Sequence, residues 1–133
     1  YLAITVGAPE PASGVIDLPI GRRGEEKRFC VRPDGAPSVT AYETLASGDG
    51  LALLRLRPET GRTHQIRVHL SAIGCPILGD RLYGRASAEI ARPALHSARL
   101  TLTHPLTGET VEAAAPLPED MRAVLTTHGL TYE

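Results

Sequence analysis

The stretch that decides the fold runs from residue 39 to residue 57 and reads VTAYETLASGDGLALLRLR. Two β-prone segments, Val39–Leu45 and Leu51–Arg57, flank the turn-forming residues SGDG, which is the pattern of an antiparallel hairpin. In the second segment leucines alternate with Arg55 and Arg57. Because successive side chains of a strand point to opposite faces, this alternation predicts one buried face and one polar face.

The segments before the hairpin are short and separated by turn-forming residues. Tyr1–Val6 is an apolar run that predicts a strand, and Val15–Leu18 predicts a short extended piece. Gly21–Lys27 is polar and predicts a loop, and Arg28–Arg32 predicts another short strand. The chain up to the hairpin is therefore expected to consist of strands and turns.

After the hairpin the apolar spacing changes to that of a helix. Thr63–Ile73 predicts a helix with Ile66, Leu70 and Ile73 (or Val68) on its buried side, and Gly74 is suited to end it. Two further strands and a closing helix are predicted at Leu95–Thr103, Thr110–Ala114 and Pro118–His128. These elements predict an α+β domain with a mainly antiparallel mixed sheet and a few helices.

Length and composition exclude several classes of protein. The 133 residues suit one domain, and 42% hydrophobic with 22% charged residues is typical of a globular chain. No apolar run approaches the roughly 20 residues that cross a bilayer, so no membrane partner is expected. Two cysteines give no disulfide framework, which favours a reducing, cytoplasmic setting. Tyr1 opens directly into a strand, so we expect the chain to be cut from a longer one.

Charge is balanced overall but unevenly distributed. The formal net charge is −1, which does not by itself indicate binding to nucleic acid. Basic residues are concentrated in the middle of the chain: Arg55, Arg57, Arg62, Arg67, Arg81 and Arg85, with only Glu59 and Asp80 as acids between them. This stretch either binds anions or is a solvated surface, and the charge distribution alone does not distinguish between these two interpretations.

The densest set of polar residues is RPETGRTHQIRVH at residues 57–69. It predicts a strand end, a glycine turn and a helix start, where backbone N–H groups beside Arg62 and Thr63 attract phosphate. Helical spacing places His64 and Arg67 on one face. Arg67 stands among apolar neighbours, so it is expected to be partly buried and to need a carboxylate partner. That partner is Glu59, Asp80 or a residue outside this chain.

Other reactive residues have simpler explanations. His64 and His69 are five residues apart, which is not the spacing of a helical metal site, and no metal is expected. Cys75, between Gly74 and Pro76, is expected to be a packed thiol. His96 is expected to pack or form hydrogen bonds, because its neighbour Ser97 does not make a catalytic triad with it.

Several blocks of the sequence, in the same order and spacing, resemble the RluA family of RNA pseudouridine synthases. They are YLAITVG at 1–7, VTAYETL at 39–45, RLRPETGRTHQIRVHLSAIGCPILGDRLYG at 55–84, LHSARLTLTHPLTGE at 95–109 and AAPLPEDM at 114–121. The resemblance covers essentially the whole chain. It implies an enzyme that converts uridine to pseudouridine in ribosomal or transfer RNA without a metal or organic cofactor.

The resemblance also implies roles for single residues. Tyr1 resembles the active-site tyrosine of the family, Arg67 matches the arginine that pairs with the catalytic aspartate, and Leu95 resembles an apolar residue beside the target base. RNA-binding residues are expected at Arg62, Thr63, His64, Gln65 and Arg85. Tyr1 and Arg67 are expected to share one cleft.

The family pattern is incomplete in this chain. The catalytic aspartate of the family lies in an HRLD motif upstream of the tyrosine, and no HRLD occurs in the 133 residues. Residues 1–133 are therefore expected to be the C-terminal portion of a single catalytic domain, inactive without its missing N-terminal half. Arg67 is then expected to lack an internal partner. A non-catalytic RNA-binding module and a degenerate paralogue remain as alternatives. Smaller departures are Cys75, where the family often has His, and Ala36, where a Lys commonly follows the Gly.

Overall fold

The computed structural model describes residues 1–25 and 28–131 and has an α+β architecture, as predicted. The strands, in chain order, are β1 (Leu2–Val6), β2 (Ser13–Asp17), β3 (Ile20–Arg22), β4 (Phe29–Val31), β5 (Val39–Gly48), β6 (Leu51–Pro58), β7 (Leu95–His96), β8 (Arg99–Thr103) and β9 (Thr110–Ala114). The helices are α1 (Gln65–Ala72), between β6 and β7, and α2 (Glu119–Thr127), after β9. No helix in the described part of the chain is long and apolar enough to cross a membrane.

The main sheet has five antiparallel strands in the order β2-β5-β6-β1-β7. Its centre is the predicted hairpin of β5 and β6, which is confirmed. Asp49 and Gly50 connect the two strands with φ values of 55° and 75°. Positive φ at both central residues is the requirement of the tight turn that matches strand twist, and Asp-Gly is one of the pairs that meet it. The strands β3 and β4 form a second small sheet, and β8 and β9 a third.

The core is built around β6 and β1. Leu51, Ala52, Leu53 and Leu54 are all buried, so both faces of the first half of β6 are covered. In its second half Arg55 and Arg57 are exposed while Leu56 is buried, which leaves one face open. The predicted alternation is therefore confirmed only for this second half. The hydrophobic cluster also takes in side chains from both helices, namely Ile66, Leu70, Met121, Val124 and Leu125.

Several predicted boundaries differ from the structure. The strand β2 is Ser13–Asp17 and not Val15–Leu18, and β5 extends past the predicted Leu45 to Gly48, which leaves only Asp49 and Gly50 in the turn. The predicted loop Gly21–Lys27 begins inside β3, because residues 20–22 pair with β4; residues 26 and 27 lie outside the described residues. The helix α1 begins at Gln65 and not at Thr63, because His64 has a φ of 56°, outside the helical range. The predicted strand Leu95–Thr103 is divided into β7 and β8, which belong to different sheets. The predicted end of α1 is confirmed, since Gly74 follows with a φ of 82°.

Candidate active site

A cleft of about 310 Å³ opens where β1, the end of β6, the start of α1 and β7 meet. Its volume falls at the lower end of the roughly 300–1,000 Å³ that ligand pockets occupy. The residues that line it are Tyr1, Pro58, Thr60, Gly61, Arg62, His64, Gln65, Ile66, Arg67 and Leu95. Tyr1, Arg67 and Leu95 are far apart in the sequence, and their meeting at one cleft agrees with the expectation stated for Tyr1 and Arg67.

The backbone of Tyr1 is held by the sheet while its ring stays accessible. The N–H group of Leu56 donates to the carbonyl of Tyr1 (2.8 Å), and the nitrogen of Tyr1 donates to the carbonyl of Leu56 (2.9 Å). These bonds continue the pairing of β1 with β6 by one residue. The residue is 42% exposed, which is unusual for a large aromatic residue beside a core strand. The aromatic face is therefore available to the cleft.

Arg67 has a partner within the chain, and the expectation that it would lack one is wrong. Its Nε donates to one carboxylate oxygen of Asp80 (2.9 Å) and its Nη2 donates to the other (2.8 Å). The Arg67 side chain is 21% exposed and that of Asp80 is fully buried. The bidentate bond to the carboxylate raises the pKa of the Arg67 guanidinium. The partly buried arginine is thus paired with a buried carboxylate, as its residue type and apolar neighbours predicted.

Backbone N–H groups as well as Arg67 hold the carboxylate of Asp80 in place. One of its oxygens also accepts the backbone N–H groups of Leu82 (3.1 Å) and Tyr83 (3.2 Å). Burial alone would raise the pKa of this carboxyl, but the hydrogen bonds from Arg67, Tyr83 and Leu82 and the charge of Arg67 together hold the pKa below its ordinary value. Asp80 is therefore ionised at neutral pH, and the buried pair is a salt bridge.

The Arg67 guanidinium lies over the ring of Tyr83. The ring centroid is 5.1 Å from Cζ of Arg67 and 5.8 Å from Cζ of Arg28. The hydroxyl accepts the backbone N–H of Phe29 (3.0 Å) and lies 2.8 Å from Nδ1 of His64. Tyr83 therefore makes cation–π contacts with both arginines and is also held at its hydroxyl.

His64 occupies the turn before α1 and lines the cleft. Its pKa is lowered, first by burial and then by the positive charge of Arg67. Its Nδ1 and the hydroxyl of Tyr83 share a hydrogen bond of 2.8 Å. The predicted common helix face of His64 and Arg67 is replaced by a common contact with Tyr83.

Gln65 was expected to bind RNA, but its amide is fully engaged within the chain. Its Oε1 accepts the hydroxyl of Thr60 (2.6 Å) and the backbone N–H of Arg62 (3.1 Å). Its Nε2 donates to the carbonyl of Val39 and to the hydroxyl of Thr40, both at 2.9 Å. Since Gln65 is only 4% exposed, these contacts fix the start of α1 against β5 and argue against a direct contact with RNA.

His69 continues the same network into the core. Its Nδ1 lies 2.8 Å from the hydroxyl of Thr40, and its Nε2 donates to the carbonyl of Leu18 (2.8 Å). The ring is fully buried, and burial lowers its pKa. His69 is therefore a structural, neutral histidine. In the described residues no three His, Cys, Asp or Glu side chains meet in a way that could hold a metal ion.

The remaining predicted residues lie at or beyond the rim of the cleft. Arg62 is exposed, lines the cleft and donates from Nε to the carbonyl of Pro37 (3.0 Å). Thr63 and Arg85 are exposed and are absent from the lining of the cleft within the described part of the chain. Cys75 is buried, and burial raises the pKa of its thiol, as expected of a packed cysteine.

A second depression of about 360 Å³ lies on the other side of Tyr83, and we call it the outer groove. Three arginines line it, Arg23, Arg28 and Arg81, together with the β4 strand and the 82–84 turn. Arg28 is fixed there by a hydrogen bond from Nη2 to the carbonyl of Leu82. Tyr83 therefore lines the outer groove and also contacts two residues of the cleft, Arg67 and His64.

Tyr83, which contacts the cleft residues Arg67 and His64, was not predicted from the sequence. The chain has only four Tyr and one Phe, so an aromatic residue three positions after a buried acid was a usable signal. Asp80 was considered only as one of two possible partners of Arg67. The sequence does not predict the direction of the turn after residue 78, which brings the side chains of Asp80 and Tyr83 to Arg67 on α1.

The fold and the cleft can now be compared with known proteins. The family model described as RNA pseudouridylate synthase matches residues 1–72, which is more than half of the chain. The chain belongs to this family. The resemblance stated from the sequence is thereby confirmed.

Relatives and solved structures agree with this assignment. The chain is 47% identical over 128 residues to a Chloroflexus aurantiacus protein described as an uncharacterized RNA pseudouridine synthase, covering 94% of this chain and 40% of that protein. It is 44% identical over 135 residues to the ribosomal large subunit pseudouridine synthase D of Nitrosomonas europaea, covering 94% and 39%. The structure of human RNA pseudouridylate synthase domain containing 1 superposes with a TM-score of 0.72 at 34% identity, covering 86% of this chain and 52% of that chain. The chain thus spans about two fifths of the length of these curated relatives.

Proposed function

We propose that the protein carrying this chain converts uridine to pseudouridine in RNA. In this isomerisation the bond between C1′ of the ribose and N1 of the base is broken, and a bond between C1′ and C5 is formed. The observation that carries the proposal is the cleft in which Tyr1, Arg67 and Leu95 meet, in a chain of the RNA pseudouridylate synthase family. Neither a metal nor an organic cofactor is part of the proposed reaction.

The cleft offers groups suited to a uracil base taken out of its stack. The exposed ring of Tyr1 can stack on a flipped base and bring its hydroxyl near the site of proton transfer. Leu95 can pack against the base edge. Arg67 can donate hydrogen bonds to an anion at the cleft, and a carboxylate held in this way stays ionised and nucleophilic.

The nucleophile itself is proposed to come from outside these 133 residues. No HRLD occurs in the sequence, so residues 1–133 are proposed to be the C-terminal portion of one catalytic domain whose other part supplies the aspartate. The isolated chain is accordingly expected to be inactive. We propose that the complete protein acts in the cytoplasm.

The substrate is proposed to be a structured RNA, ribosomal or transfer. The N. europaea relative is named for the large ribosomal subunit, which supports ribosomal RNA. Exposed arginines near the cleft and in the outer groove provide positive charge for phosphates. Flipping a base costs a few kcal/mol and costs least in loops and bulges, so the target uridine is expected there.

Tritium release tests the proposal directly. RNA transcribed with uridine labelled at C5 loses the label when C5 becomes bonded to C1′. The gene is first sequenced upstream of the codon for Tyr1, where an HRLD motif is expected, and the complete protein is then produced. The complete protein should release tritium from ribosomal or transfer RNA, whereas residues 1–133 alone should not. Binding of RNA by the complete protein without any release from either RNA would favour a non-catalytic binding module.

A further inference from the structure

The Arg67 guanidinium is held by two residues of its own chain. Asp80 accepts from Nε and Nη2 at 2.9 and 2.8 Å, and the guanidinium lies over the ring of Tyr83, with Cζ 5.1 Å from the ring centroid. Within the described residues, Nη1 has no hydrogen-bond partner, and Arg67 lines the cleft. An arginine side chain has four rotatable bonds, so this degree of fixation is a property of its surroundings.

Asp80 is the residue on which that fixation depends. Its side chain is fully buried, and its carboxylate receives hydrogen bonds from Arg67 Nε, Arg67 Nη2, Leu82 N and Tyr83 N. The same carboxylate thus orients the arginine and fixes the turn that carries Tyr83. The hydroxyl of Tyr83 in turn contacts His64 and the backbone of Phe29.

We propose that Asp80 is a positioning residue, which aims the free edge of the Arg67 guanidinium into the cleft and offsets most of its charge. This role rests on the proposed function. In this role, Asp80 lets Arg67 offer a substrate-side anion a hydrogen-bond donor of fixed direction. The opposite charges of Arg67 and Asp80 largely cancel, so the pair contributes little net charge. Since a misplacement of about 1 Å can cost on the order of 100-fold in rate, the direction matters more than the charge.

A purely structural role for Asp80 is the competing explanation, and the chain contains a control for it. Asp120 forms a bidentate pair with Arg92, with two bonds of 2.9 Å, and also accepts a backbone N–H, that of Met121 (2.8 Å). This pair is half-exposed, whereas Asp80 is fully buried, and neither Arg92 nor Asp120 lines the cleft. Asp80→Asn and Asp120→Asn therefore both remove the negative charge from a bidentate pair and keep a side-chain oxygen for the backbone bonds, and Tm reports the additional effect of burial at Asp80.

The two variants are compared in the complete protein by single-turnover rate, RNA dissociation constant and Tm. We expect Asp80→Asn to lower the single-turnover rate by roughly 30- to 100-fold, with the dissociation constant within about 3-fold of wild type. Asp120→Asn should change neither by more than about 2-fold. If the rate of Asp80→Asn stays within about 3-fold of that of Asp120→Asn, or if its rate and affinity fall together with Tm, the positioning role is overturned.

A second readout does not depend on turnover. In ¹⁵N spectra the Arg67 Nε–H should give a separate, slowly exchanging signal in the wild-type protein, because its proton is bonded to a buried carboxylate. Asp80→Asn should move that signal to the position of solvent-exposed arginines, and Asp120→Asn should leave it in place. An unchanged signal in Asp80→Asn contradicts the proposal. Absence of tritium release by the wild-type protein would instead contradict the proposed function and leave this measurement valid.

Discussion

Arg67 is the residue at which two lines of sequence reasoning give opposite results. Burial beside apolar neighbours indicated a carboxylate partner, with Glu59 or Asp80 as candidates in the chain. The family resemblance indicated a partner outside the chain and hence an unpaired side chain. The bidentate bond to Asp80 agrees with the physical argument. The match of Arg67 to the family arginine stays a prediction, and such a match does not report how many groups the side chain contacts.

This pairing changes how a substitution of Arg67 must be designed. Arg67→Leu would leave the buried Asp80 carboxylate without its partner, and breaking such a pair costs about 3–5 kcal/mol of stability. Loss of turnover in that variant would therefore partly report unfolding. Arg67→Lys keeps a positive charge near Asp80 but cannot form the two parallel bonds.

We expect Arg67→Lys to lower turnover of the complete protein by at least about 100-fold, because the donor edge that faces the cleft is lost. RNA affinity should change by less than about 3-fold, since the charge is retained. Tritium release and fluorescence anisotropy measure the two quantities on the same preparation. Turnover within about 5-fold of wild type would show that Arg67 acts only as a charge.

The helices and strands of this chain were predictable where a strong pattern coincides with a turn signal. The hairpin β5–β6 and the ends of α1 and α2 at Gly74 and Gly129 are examples, because Asp-Gly and Gly supply the positive φ that these turns need. The strand β3 was missed, since its three residues gain their pairing from β4 and not from their own composition. The start of α1 was placed two residues early, because the bend at His64 is imposed by contacts of its ring with Tyr83 and Phe29.

The C-terminal end of α2 is joined to other parts of the fold by hydrogen bonds of His128, its C-cap residue. Nε2 of this ring donates to Glu89 (2.7 Å), and Nδ1 donates to Asp49 (3.2 Å) in the β5–β6 turn. A neutral imidazole has a single N–H, so both bonds require the protonated ring. The hydrogen bonds to Glu89 and then to Asp49 raise the pKa of His128 above 6.5, its ordinary value.

A raised pKa in the folded state gives stability that is fully present below pH 6.5 and is lost as the pH rises through the folded pKa. We therefore expect the Tm of the wild type to exceed that of His128→Gln most below pH 6.5, and this difference to shrink as the pH rises through the folded pKa, so that the slope of Tm against pH is more negative in the wild type than in His128→Gln. His104→Gln, at the β8–β9 turn, is the matched control and should keep the wild-type slope. Equal slopes for wild type and His128→Gln would rule out this role of His128.

The molecule as a whole carries almost no net charge, so its affinity for RNA must come from a local surface. Arg62 and Arg85 are exposed and belong to the basic middle part of the sequence, whereas the part after residue 103 is mainly acidic. Each phosphate contact with single-stranded RNA contributes a slope of roughly −0.7 to the salt dependence of binding. With about three or four contacts, the 133-residue chain should bind RNA with a dissociation constant of about 10⁻⁴ to 10⁻⁶ M and without sequence preference.

A salt titration by fluorescence anisotropy tests this expectation. The double variant Arg62→Ala, Arg85→Ala should weaken binding to every RNA alike and reduce the salt slope by roughly 1.4, or two contacts. The control Arg99→Ala, Arg122→Ala removes two exposed arginines from β8 and α2 and should bind as the wild type does. Tight, salt-insensitive and sequence-selective binding by this chain alone would contradict the expectation and favour a binding module.

The strand β1 precedes all the others in the chain, yet it lies between β6 and β7, with Leu2 opposite both Arg55 and His96. The hairpin β5–β6 can form from neighbouring residues, whereas β1 can pair only after a long loop closes, at a cost in entropy that grows with its length. During synthesis at about 5–20 residues per second, β1 waits several seconds for β6. We expect its uncharged sequence LAITV to be open to non-native pairing during that interval. The wall of the cleft that carries Tyr1 is therefore expected to form after the β5–β6 hairpin, so that folding of the central sheet precedes assembly of the site.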